Sequence, residues 1–216
     1  MLMVNYFIFA VIASFLGVVG ERTVKGESFI FGRSKCESCH HVLPFWTLMP
    51  IIGYFLTKGR CHFCQIHVSL WYPFSEFFFA LVMINGESPF FFLFPLLFIM
   101  AYSDFSEGWI PDRFQLLLGI ELGTLQYFFP FFSLTNLISS LLLFLFLLGV
   151  NTYQEVIGGG DIKLLSLLMF GLGPFSFSIV MIYSSSLALL SLLFRQKKKL
   201  RFVPYLMLGY GLFCLI

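Results

Sequence analysis

Long apolar runs that recur along the whole chain are the feature that most restricts its fold. They lie near residues 3–20, 70–84, 89–103, 114–131, 133–150, 162–173, 175–194 and 202–216. A helix needs roughly 17–25 residues to cross about 30 Å of hydrocarbon. Only 11% of the residues are charged, against about 25% in soluble domains. We therefore predict an all-α integral membrane protein with about eight transmembrane helices, or six at the fewest.

The basic residues divide the connections between these runs into two groups. All 13 Lys and Arg residues follow the first, third, fifth or seventh run. By the positive-inside rule that face is cytoplasmic and the N-terminus points outward. We read the first run as a retained anchor, because no Lys or Arg precedes it as in a signal peptide. The predicted regions are a first transmembrane helix (1–20), a cytoplasmic Cys-rich loop domain (21–69) and a multi-span region (70–216).

Two Cys-x-x-Cys pairs lie in the predicted cytoplasmic loop. They are Cys36 with Cys39 and Cys61 with Cys64, and 21 residues separate the pairs. Paired CxxC motifs supply the four thiolates of a tetrahedral zinc site, although this spacing is slightly long for a zinc ribbon. Redox-active pairs or metal-free thiols are the alternatives. A mixed shell with His ligands also stays open, since the loop holds all four histidines: His40, His41, His62 and His67. Cys214 is expected to be a packing residue.

Aspartates at the ends of the apolar runs are candidates for catalysis, because ionisable groups at membrane depth commonly mark function. Asp104 ends the third run and precedes Glu107 and Asp112, whereas Asp161 follows three glycines at the start of the sixth. In the eight-span arrangement both reach the same face. The alternatives are a helix cap for Asp161 and ordinary loop charges for Asp104 and Asp112.

Two facing carboxyl groups suit general acid–base hydrolysis. One ionised Asp takes a proton from water, while the protonated partner hydrogen-bonds the scissile carbonyl. Such a pair is expected to titrate as a unit. The preceding glycines, Gly158, Gly159 and Gly160, would leave room for an extended peptide backbone.

The sequence resembles the type IV prepilin peptidases, which are GxGD-type aspartic membrane proteases. The resemblance rests on five segments: "GRSKCESC" and "KGRCHFC", "WYPFSE" ending at Glu76, "YSDFSEGWIPD" and "EVIGGGDIKLL". The resemblance implies catalysis by Asp104 and Asp161, with Lys163 in the second motif, in a multi-pass protein of the bacterial cytoplasmic membrane whose active site faces the cytoplasm. It also implies prepilin or pseudopilin substrates with a basic leader and a hydrophobic helix, and in many members N-methylation with S-adenosylmethionine.

One departure from that pattern concerns methylation. "LPFWTLMP" places Thr47 where the family commonly has Asp, which weakens the methyltransferase assignment more than the peptidase assignment. Glu155 or Glu37 could attract a basic leader, or either could be a solvated loop charge. The basic tract at 195–201 is expected to anchor the topology rather than to bind nucleic acid. Two other functions stay open: a zinc-dependent membrane hydrolase, and a non-enzymatic assembly protein for pilus, secretion or competence systems.

Overall fold

The computed structural model describes residues 2–86, 89–128, 133–154, 157–194 and 200–216. In these ranges the chain forms helices and connecting loops, with no strand longer than an isolated bridge. The helices, apart from two short 3₁₀ turns, are α1 (Leu2–Lys25), α2 (Ile52–Leu56), α3 (Trp71–Asn85), α4 (Phe94–Glu107), α5 (Asp112–Phe128), α6 (Leu134–Gln154), α7 (Gly159–Phe194) and α8 (Val203–Leu215). The prediction of an all-α membrane fold is therefore confirmed.

Four helices in the described residues are long and apolar enough to cross a membrane: Leu2–Lys25, Phe90–Glu107, Leu134–Tyr153 and Gly159–Leu193. The last is broken at Gly173, which has φ 76° and ψ 166°, and Pro174 follows the break. Proline removes a backbone donor and cannot continue a helix smoothly. The sixth and seventh apolar runs therefore form two segments of α7. With the shorter α3, α5 and α8, each predicted run corresponds to a helical segment.

Helix α1 packs into the bundle through a face of small residues. Ala10, Ala13, Gly17 and Gly20 are buried along it, at the spacing that brings residues onto one side of a helix. A Cβ atom added to Gly20 would lie 2.5 Å from the carbonyl oxygen of Ile99 on α4. The two backbones therefore touch directly, as small residues permit in membrane helix pairs.

One end of the bundle gathers several helix termini. The Arg113 guanidinium at the start of α5 donates to the carbonyl of Thr23 near the end of α1, at 3.0 Å. The Tyr72 hydroxyl at the start of α3 donates to Glu21 of α1 at 2.8 Å. Trp71 stacks on Phe105 of α4, with ring centroids 5.4 Å apart. The connections after the first and third runs therefore lie at one end, as their basic residues predict.

Candidate active site and metal centre

Asp104 lies in the last turn of α4, where the helix ends abruptly. Its backbone carbonyl accepts the N–H of Gly108, which adopts the left-handed conformation (φ 77°, ψ 27°) typical of a glycine that ends a helix. The side chain is only 7% exposed. Its Oδ2 accepts the N–H of Val203, the first residue of α8, at 3.3 Å. A helix N-terminus favours a negative charge, and Arg201 also acts electrostatically on this carboxylate.

Asp161 lies in the first turn of α7, which begins at Gly159. Its own N–H donates to the carbonyl of Gly158 at 2.9 Å. Asp161 is therefore two residues beyond the first residue of the helix. It does not occupy the N-cap position, which the alternative role of a helix cap requires. Asp161 is partly buried, and its charge acts on Asp104. The fold thus brings together two carboxyl groups that are far apart in the sequence.

The three glycines before Asp161 have different surroundings. A Cβ atom on Gly158 would lie 3.3 Å from Asp161 Oδ2, and one on Gly159 would meet nothing within 4 Å. A Cβ atom on Gly160 would lie 3.3 Å from Gln115 Nε2 and 3.5 Å from Ile110 Cβ. The space beside Gly159 is therefore open, whereas Gly160 is small because α5 and the α4–α5 connection pack against it.

Gln115 of α5 is a site residue that the sequence reasoning missed. Its Nε2 donates to the carbonyl of Gly160 at 2.9 Å, so it ties α5 to the first turn of α7. The side chain is 4% exposed. A Gln one residue inside an apolar run was the available signal, because buried polar groups in membrane helices need partners.

The other predicted supporting residues lie at the rim of the site. Lys163 and Asp112 form an ion pair at 2.7 Å, with side chains that are 52% and 78% exposed. Exposed pairs contribute about 0–1 kcal/mol, so this pair adds little stability. Glu37 pairs with Lys25 at 2.6 Å in the loop region. Glu155 lies outside the described residues.

A groove of about 720 Å³ begins at this rim and runs between α5 and α6, with α7 as its floor. Asp112, Arg113 and Lys163 lie at its polar end, and Gln115 is part of its wall. Along α7 it extends from Lys163 to Phe170, a distance of about 10 Å at 1.5 Å per residue. The remaining walls are mostly apolar side chains of the three helices.

The four predicted cysteines form one cluster. The sulfur atoms of Cys36, Cys39, Cys61 and Cys64 all lie within 4.8 Å of one another, and those of Cys36 and Cys64 are 3.8 Å apart. A tetrahedral zinc site with Zn–S bonds of about 2.3 Å requires sulfur atoms about 3.8 Å apart. The backbone N–H of Cys39 lowers the pKa of the Cys36 thiol to about 7 against the effect of its burial, which favours the thiolate form of Cys36. Despite the backbone N–H of His41, burial and the neighbouring thiols raise the pKa of Cys39 to about 11. The donor set therefore fits zinc, and among the described residues no histidine joins it.

The cysteine loop is built from two similar halves, shifted by 25 residues. In the first half, Lys35 and Val42 form an isolated antiparallel β-bridge, and the N–H of Cys36 donates to the carbonyl of His41. In the second half, Arg60 and His67 form the matching β-bridge, and the N–H of Cys61 donates to the carbonyl of Ile66. His40 and Gln65 hold positive φ angles of 57° and 59° at matching positions. The repeat is one of backbone geometry, since only the cysteine spacing is obvious in the sequence.

Glu76 of α3 connects this loop to the membrane bundle. It is 7% exposed, and its Oε2 accepts the backbone N–H of Ile51 at 2.9 Å. Ile51 has φ 61°, a conformation that costs free energy in a β-branched residue. The buried Glu76 carboxyl group thus stabilises a strained turn in the middle of the loop, directly before α2.

Two family models match successive parts of the chain. Residues 7–86 match the "Bacterial Peptidase A24 N-terminal domain", and residues 91–193 match the "Type IV leader peptidase family". The chain is 31% identical to the "Prepilin leader peptidase/N-methyltransferase" of Bacillus subtilis (strain 168), over 94% of this chain and 90% of that protein. The chain belongs to the type IV leader peptidase family.

Two further members of this leader peptidase family match most of the chain at lower identity. The "Type 4 prepilin-like proteins leader peptide-processing enzyme" of Escherichia coli O78:H11 is 26% identical over 84% of this chain and 75% of its own. The "Prepilin leader peptidase/N-methyltransferase" of Aeromonas salmonicida is 28% identical over 81% and 68%. No solved structure matches the chain. The cysteine cluster falls in the N-terminal match and both aspartates fall in the leader peptidase match.

Proposed function

We propose that this protein is a membrane aspartic endopeptidase that removes the leader peptide of prepilins or pseudopilins, with Asp104 and Asp161 as its catalytic pair. The observation that carries the proposal is the approach of these two carboxyl groups at one end of the bundle, where the charge of one acts on the other. The relatives are named as a prepilin leader peptidase and as a leader peptide-processing enzyme for prepilin-like proteins, which supports the substrate class.

In the proposed reaction the two carboxyl groups share one proton, and a water molecule lies between them. The ionised carboxylate removes a proton from the water, whose oxygen attacks the scissile carbonyl carbon. The protonated carboxyl donates a hydrogen bond to the carbonyl oxygen. Collapse of the tetrahedral intermediate breaks the C–N bond, and the amine leaves with the proton taken from the water. We expect the pair to titrate as a unit, because the negative charge of one carboxylate opposes ionisation of the other.

The proposed orientation places this reaction at the cytoplasmic membrane face of a bacterium. Arg113, Lys163 and Arg201 lie at the same end of the bundle as the catalytic pair, and positive charge favours the cytoplasmic side. A substrate whose apolar segment lies in the bilayer then presents its leader to the cytosol. Arg195 and Lys197–Lys199 also belong to this face in the proposal, although they lie outside the described residues.

Cys36, Cys39, Cys61 and Cys64 would hold a zinc ion in this proposal. Four thiolates complete a tetrahedral shell, so bound zinc supplies a structural cross-link between the halves of the loop. Hydrolysis is assigned to the aspartates, which lie outside the loop on α4 and α7. The loop itself contacts the bundle through Glu76, so its folding affects the site through packing.

Methylation of the new N-terminus with S-adenosylmethionine is the second activity in the proposal, and the names of the relatives support it. Thr47 stands in the position of the family's Asp. Its hydroxyl donates a hydrogen bond to the carbonyl of Pro44 at 2.7 Å.

Co-expression with a Bacillus subtilis prepilin tests both activities at once. The N-terminal sequence and intact mass of the recovered substrate are measured with and without this protein. Loss of the leader supports the peptidase, and the added mass of one methyl group supports the methyltransferase. A substrate that stays full length, while a known peptidase cleaves it in parallel, would refute the proposed function and leave a binding or assembly role.

A further inference from the structure

One atom at the candidate site is left without the partner that its surroundings require. The Nε2 of Gln115 donates to the carbonyl of Gly160 at 2.9 Å, but no donor among the described residues reaches its Oε1. Exchanging the two amide atoms does not solve this, because it would set Oε1 against the carbonyl oxygen of Gly160. The orientation of the amide is therefore fixed, and its oxygen is the unpaired end.

The environment makes that unpaired oxygen costly. Gln115 is 4% exposed, and solvent scarcely reaches Oε1. A buried acceptor without a donor loses its hydration and gains nothing in return, so most such atoms in folded proteins have a partner. A planar amide held at one end keeps its other end in a fixed direction, so a peptide that displaces the side chains covering Oε1 meets an acceptor that is already oriented.

The position of this oxygen relates it to the proposed chemistry. Gln115 holds the carbonyl of Gly160, the residue directly before Asp161, and it also lines the groove that begins at Asp112 and Lys163. A peptide whose scissile bond lies at Asp161 and whose apolar residues enter this groove passes Gln115. Its backbone brings N–H donors, which a lipid chain in the same groove lacks.

We propose that Gln115 is a substrate-binding residue, whose Oε1 accepts a backbone N–H of the peptide close to the scissile bond. The inference rests on the proposed peptidase function and adds the contact that sets the register of the substrate beside Asp161. The bond from Nε2 to Gly160 gives the same side chain a second task, since it joins the substrate contact to the turn that carries the catalytic carboxylate.

Synthetic peptides test this contact directly. A Bacillus subtilis prepilin peptide that spans the cleavage site is made in versions in which one peptide N–H at a time is replaced by an ester oxygen. For the full-length protein in detergent, we expect one ester near the scissile bond to lower kcat/KM about fivefold, the effect of one hydrogen bond. For Gln115→Met, which lacks both amide atoms, the same ester lowers kcat/KM no further.

Two further variants separate the ends of the side chain. Gln115→Glu keeps an acceptor but loses the donor to Gly160, so it is expected to remain sensitive to that ester. Thr124→Val is the matched control on α5, because among the described residues its hydroxyl donates to the backbone carbonyl of Glu121 in its own helix, and it should behave as the unaltered protein. If Gln115→Met does not accumulate, Gln115→Asn is used in its place, because the shorter side chain withdraws the amide oxygen by one methylene.

The outcomes are distinguishable. Ester effects that are equal in the unaltered protein and in Gln115→Met at every position would overturn the substrate contact while leaving the peptidase intact. The same holds if Gln115→Met lowers kcat alone, by one factor for all peptides, since that is the mark of a purely positioning role. No cleavage of any peptide by the unaltered protein would overturn the proposed function and this inference with it.

Discussion

The two glycines directly before Asp161 provide a matched pair of substitutions. A methyl group on Gly160 would lie 3.3 Å from Gln115 Nε2 and 3.5 Å from Ile110 Cβ, whereas one on Gly159 would meet nothing within 4 Å. Both residues are in the first turn of α7, so Ala in place of Gly favours the helix in both, by up to about 1 kcal/mol. Comparing Gly160→Ala with Gly159→Ala therefore cancels the helix propensity and leaves the contact.

The magnitude follows from the distances. Gln115 and Ile110 must move by a few tenths of an ångström, and the low end of overpacking costs is about 1 kcal/mol. Lengthening the bond from Gln115 to Gly160 adds about 0.5–1 kcal/mol. We expect Gly160→Ala to be about 1–2 kcal/mol less stable than Gly159→Ala. Because Asp161 is the next residue, its displacement should also lower kcat/KM for a prepilin by about tenfold.

Thermal unfolding in detergent and prepilin cleavage measure these two effects on the same preparations. Gly159→Ala should unfold at or slightly above the temperature of the unaltered protein and retain most of its kcat. Equal losses of stability and activity in Gly159→Ala and Gly160→Ala would refute the argument, because then the packing of Gln115 on Gly160 would not explain the effect.

Three further substitutions test other parts of the structure. Gly20→Ala should destabilise the bundle by about 1–3 kcal/mol, because its Cβ would lie 2.5 Å from the Ile99 carbonyl oxygen; Gly123→Ala, with open space around it, is the control, and equal unfolding temperatures would contradict the direct packing of α1 on α4. Glu76→Ala leaves the N–H of Ile51 without its acceptor and should cost about 1–3 kcal/mol, whereas Glu76→Gln keeps an acceptor and should cost less in the same assay. Cys61→Ser or a chelator should lower the unfolding temperature, whereas the fraction of protein that stays folded should cleave prepilin as before. An immediate loss of cleavage without unfolding would contradict the structural role of the metal.

The sequence carried the parts of the fold that depend on one-dimensional patterns. Each apolar run became a helical segment, and Pro174 coincides with the break in α7 at Gly173. The paired CxxC motifs predicted the cluster of four sulfur atoms, since ligand spacing is a strong constraint on a small loop. Both aspartates were found because charge is rare in so apolar a chain.

The contacts between helices could not be predicted in the same way. The bond from Gln115 to Gly160 depends on which faces of α5 and α7 meet and at what height, and apolar runs do not define that register. Gly160 is predicted from the sequence to make room for a substrate; its packing against Gln115 and Ile110 was not predicted. The hydrogen bond that Val203 donates to Asp104 comes from the start of α8, where the sequence predicted only an apolar run at 202–216.

Cleavage of a prepilin by Asp104→Asn and Asp161→Asn is the most direct test of the catalytic pair. Each change removes one ionisable group with almost no change in shape, and Asp112→Asn serves as the control because that carboxylate is exposed and paired with Lys163. We expect both substitutions in the pair to abolish processing of a co-expressed prepilin at unchanged protein levels, while Asp112→Asn continues to process it. Mature pilin of the correct mass in the presence of either Asp104→Asn or Asp161→Asn would contradict the account.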